Sequence, residues 1–439
     1  MEYYGTKEST KDLLNFEGII SLEDLYSYGV EWDETISSPT LTRVGNPSLH
    51  RTLPIQSEMK AYTLTSDGVA TLVDWSNPTL DGSIGQVMTK IPAHYQRAYE
   101  SGTKKGVRWS TYPLPGYSLI PEVYIGTYQG VMDRTNNKLM SIVNMSTQYR
   151  GGDNSATLQG YDGTYRTLLG RPATNISRSN FRTYARANGS SHWNILTNLA
   201  WKQLYWAFAI EYATFNSQLD VNATLTAEGY HQGGLGAGVS EWTQNAWSQF
   251  YSGDGSSNRY PFIPCGASDA LGNNSGQVVY NVKDGSDNIL YAAKVNRYRG
   301  IEMPFGHINI WLDGVNIMVN PTTGDNLSHI FTCDSPESFQ DSNYEGYKEV
   351  GTLCRGNNYG KTMLLGEEAD IFHKTQQSGS TSYLCDYTWN NIASSTQLRG
   401  LLVGGHANHG ALCGLSFADA YYVPSYANPT FGSRLCYIP

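Results

Sequence analysis

The sequence predicts an α+β fold rich in β-structure and long loops, and three observations support this prediction. One long apolar pattern of helical period lies near the middle of the 439 residues. Short strand-like segments and glycine-rich loops follow it to the C-terminus, an order typical of α+β domains. Charged residues make up only 16% of the chain and aromatic residues 12%, with 32 tyrosines. This composition excludes a disordered chain and argues against a helical bundle.

Two helices are expected before residue 220. Ser177 is a suitable N-cap for a short helix over 178–187, which an Asn-Gly pair would end. The second pattern, NILTNLAWKQLYWAFAIEYATFNSQ (194–218), repeats apolar residues every 3.6 positions. Because tryptophan and tyrosine widen its apolar face, we expect this helix to lie in the core.

The remaining segments suggest three regions. Residues 1–45 are polar without a clear period and predict an N-terminal arm or attachment segment. Residues 46–105 alternate like strands around the turn signal Asp67-Gly68 and predict a small β-rich module. Residues 106–439 form the third region. Strands are expected there at 123–131 and in QVVYNV, AAKVNRY, HINIWLDGVNIMV and LRGLLVGG.

Charge, hydropathy and cysteine content limit the partners and the compartment. A net charge of −9, with no basic stripe, argues against nucleic-acid binding. No apolar run is long enough for a transmembrane helix, so no membrane insertion is expected. The N-terminus lacks the apolar region of a signal peptide, which predicts synthesis in a cytoplasm. The six cysteines have no metal-binding spacing and are expected to be free thiols.

No pattern predicts an active site, because the nucleophile elbow, zinc-protease, P-loop and dinucleotide signatures are absent. Glu367, Glu368 and Asp370 predict a solvated turn, with a glycoside-hydrolase carboxylate pair as the alternative. Glu302 and His307 permit a general acid–base pair, but a structural histidine at a strand start is the expected interpretation.

The C-terminal tail has an unusual composition. From residue 398 onward the chain contains no Lys, Glu, Gln, Met or Trp. The tail instead has tyrosines, histidines and small residues. Codons that end in a pyrimidine encode all of these residue types. Such codons are the set that results when the two adenines of an Asn codon are randomised. The alternative is a chance composition of a short loop-rich segment. His406 and His409 lie here in GGHANHG and predict a binding loop rather than a metal site.

The tail GLLVGGHANHGALCGLSFADAYYVPSYANPTFGSRLCY (400–437) resembles the variable region of proteins diversified by diversity-generating retroelements. These proteins have a C-type-lectin fold of the formylglycine-generating-enzyme type. Residues 182–218 resemble its two-helix core, and residues 298–317 its G-x-E-N-P-F-G-x-x-W-x-x-x-D-G segment, with Met303 in place of Asn and Asn309 in place of Trp. The stretch 46–100 is similar to the upstream module of related phage and prophage proteins.

This resemblance implies a C-type-lectin-type ligand-binding domain over 106–439, with two helices, short strands and a variable region at about 400–436. It implies a receptor-binding protein rather than an enzyme, with no cofactor or metal, since the calcium-ligand triplet of true C-type lectins is absent. The implied ligand-facing residues are Asn408, His409, Leu412, Cys413, Ser416, Phe417, Asp419, Tyr421, Tyr422, Val423, Tyr426 and Thr430. The implied supports of the loop ends are Arg399, Gly404, Gly405, Gly432, Arg434 and Leu435.

The expected setting is a phage virion, in its tail or on its surface, assembled after synthesis in the bacterial cytoplasm. The expected partners are a bacterial surface protein or glycan, other virion proteins at the N-terminal region, and further copies of the chain, with a trimer favoured. Two alternatives stay open. One is an enzyme of the sulfatase-maturing or sulfoxide-synthase kind, and the other is a structural decoration protein of the virion.

Overall fold

The computed structural model describes residues 21–154, 160–241, 247, 259–320, 327–377, 379–380, 383–390 and 396–439. The fold is α+β, as the sequence predicts. The α-helices of the described part are α1 Leu22–Tyr26, α2 Pro47–Thr52, α3 Arg178–Arg186 and α4 Asn198–Tyr212. None of these described helices is long and apolar enough to cross a membrane.

The strands fall on both sides of α3. Those before it are β1 Ser27–Asp33, β2 Thr42–Gly45, β3 Ala61–Leu64, β4 Ala70–Leu72, β5 Gln86–Ile91, β6 His94–Ser101, β7 Lys104–Ser110, β8 Ser118–Ile120, β9 Val123–Gly126, β10 Val131–Asp133 and β11 Lys138–Met140. Those after it are β12 Trp193–Ile195, β13 Val221–Asn222, β14 Gln232–Gly233, β15 Gly276–Lys283, β16 Ile289–Tyr298, β17 Ile301–Glu302, β18 Asn309–Val319, β19 Ser328–Thr332, β20 Lys348–Leu353, β21 Gly356–Leu364, β22 Phe372–Gln376, β23 Tyr387–Asn390, β24 Gln397–Val403, β25 Ala418–Asp419, β26 Phe431–Gly432 and β27 Leu435–Tyr437.

Three sheets carry most of these strands. A five-stranded sheet has the order β2-β1-β7-β6-β8, and a six-stranded sheet has the order β12-β27-β9-β5-β3-β4. The largest sheet has nine strands, ordered β20-β19-β18-β24-β25-β23-β21-β22, with β26 beside β18. Because β18 pairs with β24 on one side and with β26 in parallel, the start and the end of the C-terminal segment both contact it.

The two predicted helices are present. The Ser177 hydroxyl accepts the N–H of Asn180 and caps α3, as expected. The described α4 is shorter than the predicted pattern 194–218, because β12 pairs with β27 immediately before it and Ala213 ends it in a left-handed conformation. All residues of α4 are buried, which confirms its place in the core.

The predicted boundaries at residues 45 and 105 do not separate independent sheets. β7 runs across residue 105, and it pairs with β1 from the segment expected to be an arm. β5, from the predicted module, pairs with β9, which also pairs with the C-terminal strand β27. The physical reason is burial. Each of these strands has an apolar face that one continuous core covers, and that core reaches from Tyr28 to Cys436.

The cysteines agree with the prediction of free thiols. All six are unpaired, and five of them are buried.

Candidate ligand-binding cleft

The C-terminal segment leaves the largest sheet at the end of β24 and returns to it twice before the chain ends. Gly404 and Gly405 make the exit turn with φ of +84° and +74°, a region that glycine adopts without strain. β25 then lies between β24 and β23, and β26 lies beside β18. The segment is therefore attached to the sheet at its start, at its middle and near its end.

Strand register brings distant residues together in this region. Trp389 on β23 is the partner of Asp419 on β25, and Asn309 on β18 is the partner of Phe431 on β26. All four of these residues line one cleft of about 340 Å³.

Five of the predicted ligand-facing residues line this cleft, and they are His409, Asp419, Tyr421, Tyr422 and Thr430. The other residues that line it are Arg259, Asn309, Asn357, Trp389, His406, Asn428 and Phe431.

Aromatic rings form one wall of the cleft. The Tyr422 ring centroid lies 4.8 Å from that of Tyr421, 4.7 Å from that of Tyr426 and 4.8 Å from that of Phe431. Tyr421 and Tyr426 are 42% and 41% exposed. The result is a cluster of rings with Tyr422 at its centre and two tyrosines open to solvent.

A carboxylate and several amides supply the polar part. Asp419 is only 6% exposed, and one of its oxygens accepts the N–H of Tyr421 at 2.9 Å. Burial raises the pKa of Asp419 to about 7, although the Tyr421 hydrogen bond opposes this shift. Asn428 accepts two hydrogen bonds from Thr430 and so orders the turn that enters β26.

The two histidines singled out in the sequence form a stacked pair, with ring centroids 3.5 Å apart. The N–H of His406 donates to Nδ1 of His409 at 3.3 Å. Burial lowers the pKa of His409 to about 3, and the nearby positive charge of Arg259 acts in the same direction. Burial also lowers the pKa of His406, so both rings are neutral at pH 7. His409 also stacks against Trp389. The expectation of a loop that contributes to a binding surface fits this arrangement.

Three predicted ligand-facing residues do not reach the surface. Cys413, Ser416 and Phe417 have no exposed area. The Cys413 thiol donates to the carbonyl of His406 at 3.4 Å, and the Phe417 ring packs on His409. The assignment of these side chains to a ligand surface needs correction, because the segment dips into the core between its two exposed parts.

The remaining predicted residues lie around the cleft. Asn408, Leu412 and Val423 are partly buried outside its lining, and Tyr426, also outside the lining, stacks on Tyr422. Five of the six expected supports are buried, and Arg399 is half-buried. Arg434 and Leu435 are buried, and Gly432 has no room for a side chain because an added Cβ would lie 2.4 Å from Ile308.

Several residues of the cleft carry no signal in the local sequence. Asn357 on β21 and Trp389 on β23 are strand partners, and both belong to strands that precede the tail segment in the chain. Asn309 has one weak signal, since it stands where the resembling segment usually has Trp.

The carboxylates and the histidine considered for catalysis have structural partners or lie in a turn. The buried Glu302 carboxylate accepts hydrogen bonds from Gly266 and Ser268, and His307 bonds Gln129 at 2.8 Å. Glu367 and Glu368 are exposed in a turn, as expected. Asp370 instead forms a buried ion pair with Lys202 at 3.0 Å.

Within the described residues, no group of three or more His, Cys, Asp or Glu side chains is arranged to hold a metal ion. No protein-family model matches the chain, and no curated protein sequence matches it.

Proposed function

We propose that this chain is a receptor-binding protein, a virion or tail-fibre component of a phage or prophage. In this proposal the segment 400–436 is the variable region of a protein diversified by a retroelement, carried on a lectin-type domain. The observation that supports it most directly is the cleft. The tail segment that resembles a variable region also supplies eight of the twelve side chains that line it, and five of these are predicted ligand-facing residues.

The exposed tyrosines fit a binding role. Tyr421 and Tyr426 expose about two fifths of their surface beside the cleft, although large side chains gain free energy from burial. Tyrosine offers a large contact area for little loss of conformational entropy, which is why binding surfaces favour it. Burial of these rings against a partner would supply much of the affinity.

The backbone of the segment fits a surface whose side chains vary. The segment is held by strand pairs at both ends and inside it. At its ends, β24 pairs with β18 and β27 pairs with β9. Within it, β25 pairs with β23 and β26 pairs with β18, so the ends of its loops are fixed. The Arg434 guanidinium donates to four backbone carbonyls from two other parts of the chain. A change of side chain at Tyr421 or Tyr426 would leave these attachments intact.

The N-terminal region would attach the chain to other virion proteins, and several copies, three in the favoured arrangement, would present the cleft together. Linked copies bind a surface much more tightly than one copy, because each later contact is intramolecular.

Replacement of Tyr421, Tyr422 and Tyr426 together by Ala tests the function. We expect this variant to lose attachment to bacterial cells while its circular dichroism and melting behaviour stay those of a folded protein. Tyr112→Ala is the matched control, because Tyr112 is 56% exposed and lies outside the cleft. Unchanged attachment by the triple variant would refute the assigned surface.

The genome offers an independent test of the retroelement. We expect a near-copy of the region that encodes 400–436, different mainly at adenines, beside a reverse-transcriptase gene. A locus without either element would refute diversification by a retroelement. The binding function would then be tested by the tyrosine variants alone.

A further inference from the structure

The cleft contains polar groups that the rest of the described chain does not satisfy. Asn309 is 1% exposed, and its side-chain oxygen has no hydrogen-bond partner among the described residues. The indole N–H of Trp389 is also buried without a partner in this part of the chain. Buried polar groups cost free energy unless something pairs with them. A ligand that fills the cleft with hydrogen-bonding groups would remove that cost.

Asp419 adds hydrogen-bonding capacity at the same place. Its carboxyl group accepts one hydrogen bond in the described structure, from the N–H of Tyr421, although an ionised carboxylate has about four acceptor positions and a protonated one also donates. Trp389 is the strand partner of Asp419 and both line the cleft, so it contains a donor and a carboxyl group on neighbouring strands. A hydroxyl group both donates and accepts, so it matches such a pair.

The rings that line the cleft suit a ligand with apolar C–H faces. Trp389, Tyr422 and Phe431 all contribute to its wall. The face of an aromatic ring carries partial negative charge and attracts weakly positive hydrogens. A pyranose ring has C–H bonds on its faces and hydroxyls around its edge, and thus combines both requirements.

The charges of the cleft disfavour a strongly ionic ligand. Arg259 lines it, so a cation would meet a positive charge there, and Asp419, whose pKa burial raises to about 7, repels an anion once it is ionised. The other polar side chains that line it are amides, hydroxyls and neutral imidazoles. A volume of about 340 Å³ is near the lower end of the range for small-molecule sites and suits a short saccharide rather than a folded protein surface.

We propose that the cleft binds a sugar ring of a bacterial surface glycan, with its C–H face on the aromatic wall and its hydroxyls paired with Asp419, Asn309 and Trp389. This inference rests on the proposed function, and it chooses a glycan over a protein as the receptor. The tyrosines at the rim then contact the neighbouring sugars of the same glycan.

The experiment uses the full chain and bacterial isolates to which it attaches. Cells are treated with periodate, which cleaves vicinal diols of sugars, or with a broad protease, and attachment is measured after each treatment. We expect periodate to abolish attachment and the protease to leave it largely unchanged.

Two variants connect this result to the cleft. Asp419→Asn keeps an acceptor for the Tyr421 N–H but turns the other oxygen into a donor, and Trp389→Phe keeps an aromatic ring but removes the indole N–H. Each should weaken attachment about tenfold, the effect of one lost hydrogen bond in a buried site. Asp67→Asn, at an exposed turn outside the cleft, should attach like the unmodified chain.

The outcomes separate the two proposals. Attachment that survives periodate but not protease would overturn the glycan inference and leave the receptor-binding function standing. Normal attachment by both cleft variants, if folded, would also overturn it. Failure of the unmodified chain to attach to any isolate would overturn the proposed function itself.

Discussion

The buried carboxylate of Asp386 accepts two hydrogen bonds from Ser416, one from its N–H at 2.8 Å and one from its hydroxyl at 2.9 Å. Ser416 has no exposed area, and Asp386 is 1% exposed. The pair joins the residue before β23 to the residues just before β25. These two strands pair with each other and make Trp389 the partner of Asp419. Ser416 therefore joins these two parts of the chain inside the core and does not line the cleft.

Ser416→Ala should destabilise the protein without loss of binding. The change removes one of the two donors to a buried carboxylate, so we expect the free energy of unfolding to fall by about 1–3 kcal/mol. Chemical denaturation measures this change, and attachment to cells is measured below the melting temperature. Ser425→Ala is the control, since Ser425 is exposed in the same segment. Lost attachment at unchanged stability would mean that Ser416 contacts the ligand.

Arg434→Lys should destabilise the protein more than an exposed substitution of the same kind. Arg434 is 1% exposed and donates to the carbonyls of Gly126, Thr127, Glu302 and Met303. Lysine keeps the charge but loses the planar fork, so it cannot make both pairs of bonds. We expect the free energy of unfolding to fall by about 2–4 kcal/mol.

Thermal and chemical unfolding measure the effect of this change, and Arg51→Lys at an exposed position is its control. Equal stability of the two variants would show that the carbonyl contacts of Arg434 do not hold the tail.

Local patterns predict the secondary structure of this chain well. The serine cap of α3, the apolar period of α4 and the Asp67-Gly68 turn are properties of neighbouring residues, and all three appear in the structure. The sheet partners are different. The pairing of β27 with β9 joins segments more than 300 residues apart in numbering, and register over such a distance depends on the whole core. For that reason the proposed boundaries at 45 and 105 did not match the sheets.

In the cleft, too, local patterns predict some residues and long-range pairing decides the others. Its tyrosines were predictable because they cluster in a short glycine-framed segment. The burial of Cys413 and Phe417 was not, because the segment has no regular period from which a buried face can be read. Asn309 and Trp389 reach the cleft because their strands pair with strands of the tail segment. No local sequence pattern predicts such a pairing.

Tyr422 should be the most sensitive tyrosine of the cleft. Its ring contacts three others, whereas the neighbouring Tyr421 is largely at the rim. Tyr422→Ala removes several aromatic pairs, each worth about 0.5–1.5 kcal/mol, and opens the wall of the cleft. We expect attachment to weaken at least tenfold more than in Tyr421→Ala, as measured by titration of cells with labelled protein.

Tyr422→Phe separates packing from hydrogen bonding. The ring contacts remain in this variant, so attachment close to that of the unmodified chain is expected. If the Phe variant loses as much affinity as the Ala variant, the hydroxyl rather than the ring carries the effect.

Asp419 should make the stability of the protein depend on pH in an unusual direction. Burial raises its pKa from 3.8 to about 7 in the folded protein. The folded state therefore holds a proton that the unfolded chain has released, and the free energy of unfolding contributed by this group falls as pH rises from about 4 to about 7. Asp419→Asn cannot titrate but keeps an acceptor for the Tyr421 N–H. The stability of this variant relative to the unmodified chain should rise across that interval, by roughly 3–4 kcal/mol.

Urea denaturation at a series of pH values measures this difference directly. His409, which also lines the cleft, stays neutral over this interval because its pKa is about 3. Asp67→Asn is the control. The Thr65 hydroxyl donates to the exposed Asp67 and lowers the pKa of its carboxyl, so its titration lies below pH 4 and its effect should be flat across the interval. A flat difference for Asp419→Asn as well would mean that Asp419 is already ionised in the folded protein at pH 5, so that burial does not raise its pKa.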